Sequence, residues 1–279
     1  MGTDVLITVL ICLVGVLLYA IDFWRDKAAE TAFAAMKTAD DDQTRDHYCR
    51  LAVMAGHRDA CHVFCFAHPE RFEDYHPLKP YKRHGIRMAF YDYYYPVRFD
   101  DFISDRQQVF SRSLYQFKEG EIHGIDFFKA CMDALKLEGT SYHIMFMPCS
   151  SDIKYYRRFK RLDWYIKTHR PELTSGLYDV DVFKWRESQH GSKGREKRVL
   201  EKNYRIKGNI KGKEIIIIDD VVTSGKSVSA YRDEIERCGG KVVAAIFYGK
   251  TVTVPPLLLV KATVWGSYII NAIKRKIQS

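Results

Sequence analysis

One stretch, from Ile215 to Ser227, constrains this chain more than any other. It reads Ile-Ile-Ile-Ile-Asp-Asp-Val-Val-Thr-Ser-Gly-Lys-Ser. Four consecutive isoleucines predict a β-strand buried on both faces, and Asp219 and Asp220 follow where that strand is expected to end. A hydroxyl-rich turn comes next. Residues 228–238 then place apolar side chains at helical spacing, before a glycine pair typical of a helix C-terminus. The predicted order is therefore strand, acidic pair, turn and helix.

This order of elements suits a phosphorylated sugar. A turn that leads into a helix directs free backbone N–H groups at one place, which attracts a phosphate. Gly225 lets the backbone approach that phosphate without a Cβ in the way. Two carboxylates just upstream can accept hydrogen bonds from vicinal hydroxyls. Together these features predict a site for ribose 5-phosphate.

The nucleotide-binding P-loop is the main competing interpretation, because Gly225-Lys226-Ser227 matches its last three positions. That motif requires a glycine five residues before Gly225, and this chain has Asp220 there. The P-loop interpretation therefore fails.

The stretch resembles the phosphoribosyl-pyrophosphate (PRPP) motif of the type I phosphoribosyltransferases. The resemblance implies an α/β fold with a mostly parallel sheet flanked by helices. It also implies that Asp219 and Asp220 hold the ribose 2′ and 3′ hydroxyls, with a Mg²⁺ ion carried mainly by the pyrophosphate. The residues that it assigns to substrate binding here are Val221, Val222, Thr223, Ser224, Gly225, Lys226 and Ser227.

A second strand is predicted over residues 142–147, and it leads into small residues followed by a basic helix. Such a loop suits an anionic group, and in the resemblance it corresponds to the loop that holds pyrophosphate, formed here by Pro148, Cys149, Ser150 and Ser151. Cys149 as a nucleophile is the alternative. No histidine or acid is placed by the sequence to activate it.

A third informative segment, residues 183–203, is polar and basic, and by default it would be a solvated loop. It resembles the Arg-x-x-x-x-Gln and Arg-x-x-x-x-Asn stretches that precede the acidic strand in ComF-like phosphoribosyltransferases. The counterparts are Lys184 or Arg186 with Gln189, and then Arg198 with Asn203. By resemblance, Arg186 and Arg198 act in catalysis: the segment closes over the site and neutralises the leaving pyrophosphate. The chain lacks the cysteine-rich zinc module usual in ComF-like proteins, so acceptor and context stay open.

The N-terminal region predicts a membrane anchor. Residues 5–21 carry no charge, and an aromatic pair at 23–24 fits the membrane interface. Arg25 and Lys27 follow the run while no basic residue precedes it, so the positive-inside rule places the rest of the chain in the cytoplasm. A signal peptide and a buried core helix are the alternatives.

Charge, cysteine content and residue spacing limit the expected partners, disulfide bonds and metal sites. The net charge of +9 predicts an anionic partner, and no recognisable nucleic-acid-binding module is present, so nucleic acid is not the expected one. Seven cysteines without CxxC spacing argue against a disulfide framework. His57, Cys61, Cys65 and His68 share one helix face, yet four ligands along a straight helix cannot converge on one ion, so no metal site is expected.

The sequence therefore predicts a membrane anchor (1–24), a helical spacer (25–80) and a phosphoribosyltransferase-like domain (81–279). Residues 257–273 are expected to close the core as a strand and helix, with an interfacial amphipathic segment as the alternative. The predicted function is PRPP-dependent transfer of ribose 5-phosphate to a small, nucleobase-like acceptor. The alternative is a PRPP- or nucleotide-sensing protein at the membrane without turnover. The sequence does not decide the acceptor or the oligomeric state.

Overall fold

Eight strands and eight α-helices form in the residues that the computed structural model describes, which are 2–137, 141–183 and 203–278. The helices are α1 (Gly2–Lys37), α2 (Asp42–Ala55), α3 (Arg58–Ala67), α4 (Asp105–Lys118), α5 (Ile125–Ala134), α6 (Asp152–His169), α7 (Lys226–Arg237) and α8 (Leu257–Gln278). The strands are β1 (Tyr81–Arg83), β2 (Ile86–Tyr94), β3 (His143–Phe146), β4 (Thr174–Ser175), β5 (Val180–Val182), β6 (Tyr204–Ile206), β7 (Glu214–Val222) and β8 (Lys241–Thr251).

The chain divides into two units. One is helical and consists of Met1–Glu73, Phe99–Ile103 and Thr253–Ser279. The other contains every strand and consists of Asp74–Arg98 and Ser104–Val252. Residues 253–279, which the sequence suggested belong with the predicted transferase domain, cluster instead with the N-terminal helices.

The larger sheet has six strands in the order β1-β2-β8-β7-β3-β4. Only the edge strand β1 is antiparallel to its neighbour; the other pairings are parallel. β5 and β6 form a separate antiparallel pair. The α/β fold with a mostly parallel sheet flanked by helices is confirmed.

The isoleucine run explains why β7 is central. Ile215, Ile216, Ile217 and Ile218 are all fully buried, because β7 pairs with β3 on one side and β8 on the other and both of its faces are covered. The strand predicted over residues 142–147 is also present, as β3.

Residues 257–273 depart from the sequence prediction. They form no strand, and α8 runs as one helix from Leu257 to Gln278. Its buried side chains, Val260 and Val264, are four residues apart and lie on one face. This spacing packs α8 into the helical unit, where it contacts α2 and α3.

Both ends of α2, in the helical unit, are capped. Asp41 is the N-cap of α2, and its side chain accepts a hydrogen bond from the Thr44 N–H at 2.8 Å. α2 ends at Ala55, and its C-cap Gly56 has a φ of 105°, in the left-handed region that favours glycine.

The N-terminal segment forms one uninterrupted helix, α1, from Gly2 to Lys37. Its apolar side chains between Leu10 and Trp24 are exposed, whereas Phe33 and Met36 are buried within the helical unit. Across residues 2–137, 141–183 and 203–278, no helix combines the length and the apolar character needed to cross a membrane. The structure therefore does not support the predicted transmembrane helix.

Candidate active site

The acidic pair lies where β7 extends past its neighbour β3. The last β3–β7 pair joins Phe146 to Ile218, whereas pairing with β8 continues as far as Val222. Asp219 and Asp220 therefore fall within β7, which continues to Val222, two residues beyond the acidic pair. β3 ends at Phe146, so it does not pair with the part of β7 that carries the two acids. The acids therefore border an open edge at the carboxyl ends of parallel strands, where ligands of α/β proteins bind.

Asp220 is held by two cations of the protein itself. Its Oδ2 lies 2.6 Å from Nη1 of Arg158 on α6, and 3.8 Å from Nζ of Lys118 at the end of α4. Burial raises the pKa of Asp220, but the charges of Arg158 and Lys118 outweigh burial and hold that pKa below its ordinary value. Asp220 is therefore ionised at neutral pH and anchors two helices to the end of β7.

Asp219 has the opposite character. It forms no ion pair with any described residue, and its Oδ1 accepts the backbone N–H of Asp220 at 2.8 Å. Removal from water, together with the adjacent charge of Asp220, raises the pKa of Asp219 well above its ordinary value, and Arg158 only partly opposes the shift. Of the two carboxyl groups, Asp219 is therefore the one available to a ligand.

The raised pKa of Asp219 predicts that Asp219→Asn increases the stability of the protein, and that the increase depends on pH. A carboxyl group whose pKa is raised in the folded state binds its proton more tightly there. Its favourable contribution to folding is thus present below the unfolded pKa and is lost as the pH rises through the folded pKa. We expect the variant to be more stable than the wild type at pH 7, by about 1 kcal/mol, with a smaller difference at pH 4. Urea unfolding at the two pH values measures this; a variant less stable than the wild type at pH 7 would contradict it.

The turn after β7 presents backbone donors. Gly225 is buried with a φ of 75°, a conformation that L-residues rarely adopt. α7 begins at Lys226 without a side-chain cap and without an acidic residue in its first turn. The first N–H groups of a helix have no partner inside the helix. The start of this twelve-residue helix is therefore suited to an anion.

The β3–α6 loop, residues 147–151, lies beside the same edge. The N–H of Met147 donates to the carbonyl of Ile218 at 2.9 Å, and Ser151 caps α6. Asn203 is buried, and its side-chain amide donates to the carbonyl of Cys149 at 2.9 Å. Asn203 is the last residue of the predicted Arg-x-x-x-x-Asn stretch, and Cys149 belongs to the predicted pyrophosphate loop. The hydrogen bond therefore joins Asn203 to that loop.

Cys149 lacks the properties of a nucleophile. Its side chain is buried, and burial raises the pKa of its thiol to about 12. A catalytic cysteine reacts as the thiolate and needs a depressed pKa. The structure therefore argues against the alternative in which Cys149 attacks a substrate.

Basic residues of α6 differ in their contacts. Arg157 pairs with Glu119, Arg158 pairs with Asp220, and Arg161 donates to the carbonyl of Glu121 at 2.9 Å. Arg157 and Arg161 therefore fasten α6 to the residues that follow α4, and Arg158 fastens it to β7. Lys154, in the first turn of α6, forms no ion pair with another described residue.

Lys154 lines a cavity of about 440 Å³ at the start of α6. Ser151, Asp152 and Arg157 add polar groups to the lining, and the half-exposed Phe183 adds an apolar wall. Ile153 and Val182 complete the lining among the described residues. The cavity therefore combines cationic and apolar surface beside the β3–α6 loop.

Comparison with known protein families bears on the part of the site formed by the acidic pair, the turn and α7. Residues 171–256 match the phosphoribosyl transferase domain. The match contains the acidic pair, the turn and α7, and it covers under a third of the chain. Residues 81–170, which the sequence analysis also assigned to the transferase-like domain, lie outside it, and ComF-like membership is not confirmed. No curated protein matches the chain.

Four residues of the site were not assigned a role from the sequence. Lys118 and Arg158 bind Asp220, and Arg83 and His84 contact the turn after β7. Lys118 precedes Asp220 by about 100 residues, and no local pattern indicates a contact over that separation. Arg158 stood out only as one of several basic residues in α6. The predicted residues Lys184, Arg186, Gln189 and Arg198 lie outside the described part of the chain.

Proposed function

We propose that this protein is a phosphoribosyltransferase, which moves the ribose 5-phosphate group of PRPP to a small acceptor and releases pyrophosphate. One observation carries the proposal. Asp219, near the end of β7, offers an available carboxyl group, and the turn that leads from β7 into α7 offers backbone N–H donors. Residues 171–256, which contain this connection, match the phosphoribosyl transferase domain. The distribution of polar groups corresponds to a diol beside a phosphate.

Asp219 would accept hydrogen bonds from the ribose hydroxyls. A carboxylate accepts such bonds more strongly than a neutral group does, so ribose binding would favour loss of the Asp219 proton. Asp220 shares the edge, but its Oδ2 is occupied by Arg158 and Lys118. We assign it to holding the end of β7 in place, with at most one oxygen directed at the sugar.

The turn and the first turn of α7 would receive the 5-phosphate through backbone N–H groups and the hydroxyls of Thr223, Ser224 and Ser227. No acidic side chain stands in the first turn of α7 to repel it. Pyrophosphate would lie towards the β3–α6 loop, where Lys154 is free of ion pairs among the described residues. Arg186 and Arg198 are proposed from the resemblance alone to cover this side.

A Mg²⁺ ion prefers oxygen ligands and usually takes several of them from substrate phosphates. Asp219 is an oxygen donor that fits such an ion, whereas in the described residues no three acidic, histidine or cysteine side chains group to hold a metal by themselves. Bound with PRPP, the ion would neutralise charge on the departing pyrophosphate.

The protein's contribution to the reaction is positioning. The C1′–O bond to pyrophosphate breaks and its electron pair leaves with pyrophosphate. A nitrogen of the acceptor forms the new bond to C1′ and gives up its proton to water. Holding the ribose at Asp219 and the phosphate at the α7 N-terminus fixes C1′ between acceptor and leaving group. Membrane attachment through residues 5–24 and a cytoplasmic location remain predictions from the sequence.

Release of pyrophosphate tests this function. The full chain is incubated with PRPP and Mg²⁺, with and without each of the common nucleobases, and pyrophosphate is measured over time. We expect release that requires one acceptor and is lost in Asp219→Asn, but is retained in Asp181→Asn. Asp181 is an exposed carboxylate of the same unit, paired with Lys207 on the surface. PRPP binding without release under any acceptor would assign the site to the sensing role, and absence of PRPP binding would overturn both functions.

A further inference from the structure

The turn after β7 is braced by a hairpin from a distant part of the chain. β1 and β2 are joined by His84 and Gly85, which both have positive φ values, of 49° and 79°. This backbone is typical of the tight two-residue turns that connect antiparallel strands. We define the hairpin tip as Arg83, His84 and Gly85.

Two side chains of the hairpin tip donate to consecutive carbonyls of the turn. Nη1 of Arg83 lies 3.2 Å from the carbonyl oxygen of Thr223, and Nε2 of His84 lies 2.9 Å from that of Ser224. Because a carbonyl can only accept, Nε2 of His84 carries a hydrogen in this contact. The tip therefore holds two successive peptide groups by their oxygens.

Holding a carbonyl also fixes the direction of the next N–H. In a planar trans peptide the C=O and the N–H point in opposite directions, so the N–H groups of Ser224 and Gly225 point away from the hairpin tip. Among the described residues neither N–H donates a backbone hydrogen bond. A donor at the oxygen also polarises the peptide and strengthens its N–H as a donor.

The hairpin tip is itself anchored. Arg232 on α7 donates to the carbonyl of His84 and is bound in turn by Asp233 at 2.6 Å. The guanidinium of Arg83 lies 5.8 Å from the ring centre of Tyr75, over its face. Contact with Gly225 is close, since a Cβ at that position would lie 3.1 Å from Cδ2 of His84. The tip is therefore a fixed support behind the turn.

We propose that the hairpin tip is a positioning element for the phosphomonoester of the substrate. Arg83 and His84 aim the N–H groups of Ser224 and Gly225 at the 5-phosphate from behind, without touching the substrate. The inference rests on the proposed function, because it names the group that the turn binds. It adds the hairpin, 140 residues away in the chain, to the machinery that recognises that phosphate.

The test compares three ligands in full-length variants. Arg83→Gln and His84→Asn each remove one of the two contacts, and asparagine tolerates the positive φ of residue 84. Arg87→Gln, which removes an exposed positive charge on β2, is the matched control. Calorimetry measures dissociation constants for ribose 5-phosphate, PRPP with Mg²⁺, and pyrophosphate with Mg²⁺.

We expect each tip variant to bind ribose 5-phosphate and PRPP about tenfold more weakly, as loss of one positioned hydrogen bond implies. Pyrophosphate binding should be unchanged in the same variants, and Arg87→Gln should resemble the wild type. Arg83→Lys should recover part of the affinity, because lysine retains a donor. If turnover is found, KM for PRPP should rise with kcat unchanged.

Two results would overturn the inference. One is unchanged affinity for ribose 5-phosphate in both variants while the wild type binds it. The other is a parallel loss for all three ligands, pyrophosphate included, which would mark the tip as a general structural support. A wild-type chain that binds ribose 5-phosphate but not PRPP would refute the proposed function and leave the inference standing. A wild-type chain that binds neither would refute both.

Discussion

Replacing Asp220 by asparagine is expected to lower the free energy of unfolding by about 3 kcal/mol. The substitution leaves Arg158 and Lys118 without their shared anion, in a place where their side chains are only 15% and 19% exposed. Breaking a buried ion pair by removing one partner costs about 3–5 kcal/mol, because the remaining charge stays desolvated. Urea unfolding followed by circular dichroism at pH 7 measures the change.

Asp181→Asn is the matched control for this prediction. Asp181 also pairs with two cations, Arg205 and Lys207, but on the surface, and exposed pairs contribute about 0–1 kcal/mol. Asp219→Asn should differ even more from Asp220→Asn, since the Asp219 variant is expected to gain stability at pH 7. Equal, small effects at positions 181 and 220 would show that Asp220 does not anchor α4 and α6.

The second large effect concerns affinity. Asp219→Asn is expected to weaken binding of PRPP and of ribose 5-phosphate about 100-fold. Hydrogen bonds to a charged group contribute about 1.5–3 kcal/mol, and a factor of 100 corresponds to about 2.7 kcal/mol. Asparagine keeps the size of the side chain but loses the charge. Isothermal calorimetry with each ligand measures the loss.

Pyrophosphate provides the internal comparison for Asp219→Asn. It lacks the ribose, so its affinity should change much less than that of the two sugar phosphates. A uniform loss for all three ligands would mean that the variant disturbs the whole site. Unchanged affinity for ribose 5-phosphate would mean that Asp219 does not contact the sugar.

The sheet and the turn could be predicted because their signals are local. A run of four isoleucines requires cover on both faces, and that requirement alone makes β7 an inner strand of a parallel sheet. The glycine after two hydroxyl residues indicates the tight entry into α7, and Gly225 has the expected left-handed backbone. The strand, turn and helix therefore followed from adjacent residues.

The different roles of the two acids could not be predicted, because they depend on tertiary contacts. Asp219 and Asp220 are neighbours with the same chemistry, and only the approach of Arg158 and Lys118 to one of them separates their pKa values. The same holds for the hairpin tip. Its two donors are ordinary surface residues in the sequence, and their partners are backbone carbonyls, which no sequence pattern marks.

The structure of residues 257–273 could not be predicted from the sequence for a different reason. An apolar run such as residues 257–273 is compatible with a strand or a helix, and periodicity alone does not separate the two for short pieces. The structure forms a single helix, α8, with Val260 and Val264 on its buried face. Which unit it packs against is a tertiary choice, and α2 and α3 are its partners.

Thermal unfolding of the full chain, with and without PRPP and Mg²⁺, tests the central claim most directly. A ligand at 100 times its dissociation constant stabilises the folded state by about 2.7 kcal/mol. We predict a clear upward shift in Tm for the wild type and for Asp181→Asn. The 100-fold weaker binding expected of Asp219→Asn leaves about 0.4 kcal/mol of stabilisation at the same ligand concentration, and therefore a much smaller shift relative to its own ligand-free form. No shift in the wild type at millimolar PRPP, or an equal shift in Asp219→Asn, would contradict the assignment of this edge of the sheet as a PRPP site.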